Sequence, residues 1–117
     1  MDAALERIRA GLASPDGANR VAAARDLEAL LSARLQAGGA DWTSPAADLL
    51  PLLLTGLGDV EKGVQVHCAG CLELLARRSE AVVPALRAVL SPPYARRAWG
   101  AAFVLARLGL WSAEVGE

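Results

Sequence analysis

The sequence predicts an all-α fold, a stack of three helical hairpins made from about six helices. Composition is the first observation: hydrophobic residues make up 54% of the chain and aromatic residues only 4%. The excess is alanine and leucine, which favour helices, whereas strands prefer β-branched and aromatic side chains. The second observation is an apolar stripe at helical spacing in each candidate helix, and the third is an internal repeat.

Three leucines set the register of the repeat: Leu12, Leu57 and Leu90. The positions seven and four residues before them are apolar in every copy, namely Leu5, Leu50 and Val83, then Ile8, Leu53 and Leu86. The positions twelve, fifteen and eighteen residues after them are Ala24, Ala69 and Ala102, then Leu27, Leu72 and Leu105, then Leu30, Leu75 and Leu108. Each unit is therefore a short helix, a tight turn and a longer helix, with small residues where helices approach closely.

Residues that favour helix ends lie between these stripes and predict where each helix begins and ends. Ser44 before Pro45 is typical of an N-cap followed by a first-turn proline, and Asp59 with Glu61 opens the next helix. The predicted helices span residues 2–13, 18–37, 46–57, 61–77, 80–90 and 94–108. They form a single domain, 1–117, with repeats at about 2–37, 46–77 and 80–109 and a C-terminal cap or tail at 110–117.

Charge and length exclude several classes of partner and location. The formal net charge is −1, so no basic field exists to bind nucleic acid or an anionic membrane surface. The longest apolar run, residues 49–57, is too short to span a membrane and contains Pro51. Residues 1–20 lack a signal-peptide core, and two cysteines are too few for a secreted disulfide framework. The prediction is a cytoplasmic protein.

Three segments carry a family resemblance: "LSPPYARRAWGAAFVLARLG" at 90–109, "LGDVEKGVQVHCAGCLELLA" at 57–76 and "LASPDGANRVAAARDLEALL" at 12–31. They resemble HEAT repeats, with Asp16 and Asp59 in the turn, Arg20 at the family's arginine, and Gln65 and Ala98 where that arginine is replaced. The resemblance covers nearly the whole chain and implies a right-handed α-solenoid that serves mostly as a binding scaffold. Tetratricopeptide and other helical-hairpin stacks share the same periodicity.

The motif "VHCAGC", residues 66–71, could indicate metal or redox chemistry. A structural zinc needs four protein ligands, and the chain has no histidine or cysteine beyond His67, Cys68 and Cys71. A redox Cys-x-x-Cys begins at a helix N-terminus, whereas this one falls within a predicted helix. We therefore interpret Cys68 as a small core residue, Cys71 as nearer the rim and His67 as pointing outward. We predict no metal and no cofactor.

The repeat register also predicts a partner-binding surface on the second helices. The outward positions thirteen and seventeen residues after the anchors carry Arg25 and Phe103, then Leu74 and Arg107, and His67 lies one turn earlier. Leucine and phenylalanine at positions expected to meet solvent favour a contact with a partner.

The sequence shows no nucleophile constellation and no phosphate-binding glycine pattern, so we predict no catalytic residues. The predicted function is a non-catalytic scaffold or adaptor for a partner protein. A self-associating subunit, for example a homodimer, and a metal- or thiol-dependent protein are the open alternatives. The loop with Trp42 is a second candidate contact. Leu110, Trp111 and Val115 are predicted to cap the last hairpin, or Trp99 and Val104 to meet a second copy.

Overall fold

The computed structural model describes residues 3–37, 43–90 and 95–108, and their side chains except at 37, 43–46 and 95–99. Within these residues the chain forms helices and turns and no strand, which confirms the all-α prediction. The helices are α1 (Ala3–Leu12), α2 (Gly17–Ala37), α3 (Thr43–Gly56), α4 (Lys62–Ala76), α5 (Val82–Ala88) and α6 (Ala95–Arg107).

The helix ends lie within about three residues of the predicted ones. The largest difference is at α3, which begins at Thr43, so Ser44 and Pro45 belong to its first turn and Ser44 does not precede the helix as a cap. Proline fits there because the first backbone N–H groups of a helix have no partner within the helix. Pro51 lies inside α3 on its exposed side.

Aspartates organise the turns that precede α2 and α4. Asp16 stands just before α2, and its Oδ1 accepts the Ala18 N–H at 2.9 Å, which satisfies a first-turn donor. Asp59 Oδ1 accepts the Glu61 N–H at 2.8 Å in the turn before α4. The repeat therefore places an aspartate in each of these two turns to fix the direction of the second helix.

A hydrogen-bonded pair joins the turns of the first two hairpins. Arg20 donates from Nε and Nη2 to Asp59 Oδ2 and Oδ1 at 2.8 and 3.1 Å, and from Nη1 to the carbonyls of Ser14 and Pro15. Gln65, at the repeat position of Arg20, donates its amide to the Asp59 carbonyl. Two opposing effects act on the pKa of the Asp59 carboxyl. Partial burial acts to raise it, whereas the hydrogen bonds from Arg20 and Glu61 and the charge of Arg20 act to lower it. The lowering effects are the larger, so the pKa lies below its usual value.

The helices pack in sequence order. α1 packs on α2, α3 on α4 and α5 on α6, so each predicted hairpin is a packed pair. The second helices also pack on one another, α2 on α4 and α4 on α6, and the first helices do the same, α1 on α3 and α3 on α5. Helix α4 consequently has neighbours on several sides, since it also packs on α5.

The core is built from the repeat positions. Ala24, Leu27, Leu72, Leu75 and Leu105 are buried, as is Ala69. Leu30 and Leu108, at the matching position of the outer hairpins, are only partly buried against this core. At this one repeat position the middle hairpin buries its leucine, Leu75, and the outer hairpins do not.

Two sequence interpretations need correction because the core extends further round the helices than expected. Cys71 is fully buried and is not at the rim. Val104 is also fully buried, so it is not available to meet a second copy. Among the described residues, no helix is both long and apolar enough to cross a membrane.

Candidate functional site

Helices α2 and α4 form an open groove on the surface that the repeat register indicates. The groove has a volume of about 420 Å³. Its lining residues are Arg25, Glu28, Ala29 and Ser32 from α2, and Gly70, Glu73 and Leu74 from α4. Two of the predicted partner-binding residues, Arg25 and Leu74, therefore face the same groove.

Gly70 lets a side chain from α2 lie across α4. A Cβ at this position would overlap the carboxylate of Glu28, so only glycine accommodates that carboxylate where it lies. Gly63, about two turns earlier on α4, approaches Val21 of α2 in the same way, because a Cβ at Gly63 would lie 2.9 Å from Val21 Cγ1. Small residues on α4 thus set the close approach of the two helices and the floor of the groove.

His67 is bonded within the chain. Its Nδ1 lies 2.6 Å from Glu28 Oε1, and both side chains are only partly exposed. An ionised carboxylate only accepts hydrogen bonds, so Nδ1 carries the proton that is shared. The predicted outward placement of His67 is compatible with this pair, whose first role is to join α2 to α4 at the edge of the groove.

A second charged pair joins α4 to α6. Arg107 Nε lies 3.1 and 3.0 Å from the two carboxylate oxygens of Glu73. Arg77 Nη2 lies 3.8 Å from Glu73 Oε1. The Arg107 guanidinium carbon is 5.8 Å from the centre of the Phe103 ring, within the range of a cation–π contact. Phe103 and Arg107 therefore form one unit that Glu73 connects to the α2–α4 groove.

Sequence reasoning did not single out Glu28 and Glu73 as site residues. Both stand sixteen residues after an anchor leucine, Leu12 or Leu57, and each pairs with the second helix of the following hairpin. Ala106 holds that position in the last repeat. The repeat register could have predicted these two site residues, because glutamates at the same position of two successive repeats indicate a contact that is repeated between hairpins.

The two cysteines lie in the core. Both thiols are free and buried, and Cys71 Sγ donates to the Ala24 carbonyl at 3.9 Å. Burial raises the pKa of the Cys68 thiol to about 12, with a further contribution from the charges of Asp59 and Glu28. Burial also raises the pKa of the Cys71 thiol, and the charges of Cys68 and Glu28 raise it further. Both sulfurs are therefore protonated at neutral pH and are poor nucleophiles.

Labelling tests this assignment. At about pH 8 we expect the native thiols to react with Ellman's reagent at least about a hundredfold more slowly than in concentrated guanidinium, because so little thiolate forms in the core. The measurement is the absorbance time course in both solutions. Fast labelling of the native protein would instead favour the thiol-dependent alternative.

Among the described residues, no group of three or more His, Cys, Asp or Glu side chains is placed to hold a metal ion. Arg78 donates from Nη2 to the Leu35 carbonyl at 3.1 Å and so complements the last turn of α2. Trp42, Leu110, Trp111 and Val115 lie outside the described residues, and so does the side chain of Trp99.

Comparison of the chain with protein-family models, with curated proteins and with solved structures found no match. The groove and the repeat register are therefore the basis for assigning a function.

Proposed function

We propose that the chain is a non-catalytic scaffold that binds a partner protein through the α2–α4–α6 surface. This surface consists of the predicted residues Arg25, His67, Leu74, Phe103 and Arg107 together with Glu28, Gly70 and Glu73. The observation that carries the proposal is that an apolar side chain, Phe103, is 44% exposed under Arg107, whose guanidinium is bonded to the groove residue Glu73. Exposed aromatic residues next to arginine are typical of protein contacts.

A right-handed α-solenoid of the HEAT type is the architecture that we propose for this scaffold. Three pairs support it, because each links one hairpin to the next: Arg20 with Asp59, Glu28 with His67, and Glu73 with Arg107. The molecule is 18 Å across its shortest axis, close to the thickness of two layers of helices. In such a stack the second helices present their outward residues in parallel rows.

Rigid display is the proposed mechanism. The Glu28 and Glu73 pairs connect the three second helices at the surface, and the buried leucines beneath them fix the helix positions. A partner that docks on such a preformed surface orders few protein groups on binding, so little of the contact energy is lost to conformational entropy.

The side chains that could carry chemistry support a binding role. The single histidine is bonded to Glu28, and both thiols are buried and protonated. Nucleophilic catalysis needs an accessible nucleophile beside a base, and His67 with the cysteines does not offer one.

Differential capture tests the proposal. Tagged protein and a Phe103→Ala/Arg107→Ala variant are used as baits in native extract, and bound proteins are identified by mass spectrometry. Val60→Ala is the control, because Val60 is 72% exposed in the turn before α4 and away from the groove. We expect a partner that the wild type and the control retain and the double variant loses.

Circular dichroism and light scattering accompany the capture. Unchanged helicity shows that the loss reflects the surface and not the fold. Partners retained by the double variant would place the binding site elsewhere, and a mass that rises with concentration in the absence of partner would favour the self-associating alternative.

A further inference from the structure

The charges on the α2–α4–α6 surface are unequally exposed. The side chains of Arg25 and Arg107 are 63% and 58% exposed, and Arg77, which borders this surface at Glu73, is 63% exposed. The carboxylates that accompany them are more covered, with Glu73 15% and Glu28 37% exposed. Although the whole chain is nearly neutral, the groups of this surface that reach solvent are therefore mainly cationic.

The carboxylates near these arginines differ in where they lie. Asp26 is exposed next to Arg25, but its carboxylate is 3.9 Å from Arg25 Nε and it lines a different groove, between α1 and α2. Glu73 is a single carboxylate facing both Arg77 and Arg107. Arginines and carboxylates therefore balance in number in this region, and what distinguishes it is that the three arginines reach solvent more than Glu73 and Glu28 do.

Arg107 also keeps donors for a ligand. Both of its hydrogen bonds to Glu73 use Nε, so the Nη groups, which carry four of the five guanidinium N–H donors, are not occupied by that carboxylate. Guanidinium groups recognise carboxylates in a planar, two-bond geometry. A second carboxylate can therefore approach Arg107 from solvent.

Apolar surface lies among these cations. Phe103 is 44% exposed under the Arg107 guanidinium, and Leu74 lines the groove. An acidic group alone would leave these side chains uncovered. The complementary ligand combines carboxylates with an apolar side chain.

We propose that the α2–α4–α6 surface binds an acidic peptide segment of the partner protein. Its Asp or Glu carboxylates pair with Arg25 and Arg107, and one apolar side chain packs on Phe103 and Leu74. This inference rests on the proposed scaffold function and names the chemistry of its partner. The exposed apolar residues and the net charge of −1 favour a peptide over nucleic acid as the source of negative charge.

Selection from a random peptide library on phage tests the inference with the intact protein as bait. We expect the selected sequences to be enriched in Asp and Glu by roughly two- to fivefold over the library, as expected for a few exposed ion pairs, and to share an apolar position. Binding of a selected synthetic peptide, measured by fluorescence anisotropy, should weaken as salt rises because surface charges are screened.

Charge variants locate the contact. The Arg25→Gln/Arg107→Gln variant should bind the selected peptide about tenfold more weakly than wild type. The Arg25→Glu/Arg107→Glu variant should select peptides enriched in Lys and Arg. Arg7→Glu/Arg9→Glu is the matched control, because it changes the net charge by the same amount at exposed positions of α1. This variant should still select peptides enriched in Asp and Glu.

The outcomes separate this inference from the function on which it rests. Failure to select any peptide would contradict the scaffold proposal and the inference with it. Selected peptides without acidic enrichment, or acidic peptides that ignore both variants of Arg25 and Arg107, would overturn only the inference. A labelled single-stranded oligonucleotide that binds the wild type and not the Gln variant would replace the peptide with nucleic acid.

Discussion

Replacing Leu72 with alanine is expected to lower the free energy of unfolding by about 2–5 kcal/mol. Leu72 is fully buried on α4, the helix that packs against α2, α3, α5 and α6. Because neighbouring elements surround this position, they cannot collapse into the space that the lost atoms leave. Urea unfolding followed by circular dichroism at 222 nm measures the change.

Val66→Ala is the matched control for this prediction. Val66 lies on the same helix but is 56% exposed, so we expect its unfolding free energy to change by no more than about 0.5 kcal/mol. A loss below about 1 kcal/mol for Leu72→Ala would contradict the placement of this face of α4 in the core.

Gly56→Ala is expected to lower the free energy of unfolding by about 1–3 kcal/mol, although alanine is the better helix former. Gly56 ends α3 and is buried. A Cβ there would overlap Cys68 Sγ and lie 3.2 Å from Cys68 Cβ and 3.3 Å from Val64 Cγ1. Cys68 and Val64 are themselves buried, so they cannot move aside without disturbing the packing of α4.

A double-mutant cycle identifies the cause. In a Cys68→Ala background the overlapping sulfur is absent, so Gly56→Ala should cost less than it does in the wild type, by about 1 kcal/mol or more. Equal costs in the two backgrounds would show that the methyl group and the sulfur do not compete for the same space. Gly70→Ala is the contrasting variant, since the three atoms nearest its new methyl belong to the carboxylate end of Glu28 and not to buried core residues.

The helices can be predicted from the sequence because alanine and leucine recur at the same positions in three copies. Register alone places Leu27, Leu72 and Leu105 in the core, and all three are buried. The start of α3 is harder to predict, since Ser44 with Pro45 fits both a cap before a helix and its first turn. The prediction for Cys71 is wrong because neighbours on several sides of α4 widen its buried face beyond the stripe that one hairpin requires.

The site is less predictable than the core. The register indicates the outward residues, and Arg25 and Leu74 do share a groove. The pairs from Glu28 to His67 and from Glu73 to Arg107 join residues 39 and 34 positions apart. Such pairs depend on how far one hairpin is shifted against the next, and that shift follows from packing of side chains rather than from spacing along the chain.

The groove between α2 and α4 has a consequence for amide hydrogen exchange. The outer hairpins leave Leu30 and Leu108 partly exposed, so local opening should begin there and the amides of α4 should exchange most slowly. A ligand seated on both α2 and α4 would bind only while the first hairpin is closed. Its concentration would then set the exchange rate throughout α2, including turns that the ligand never touches.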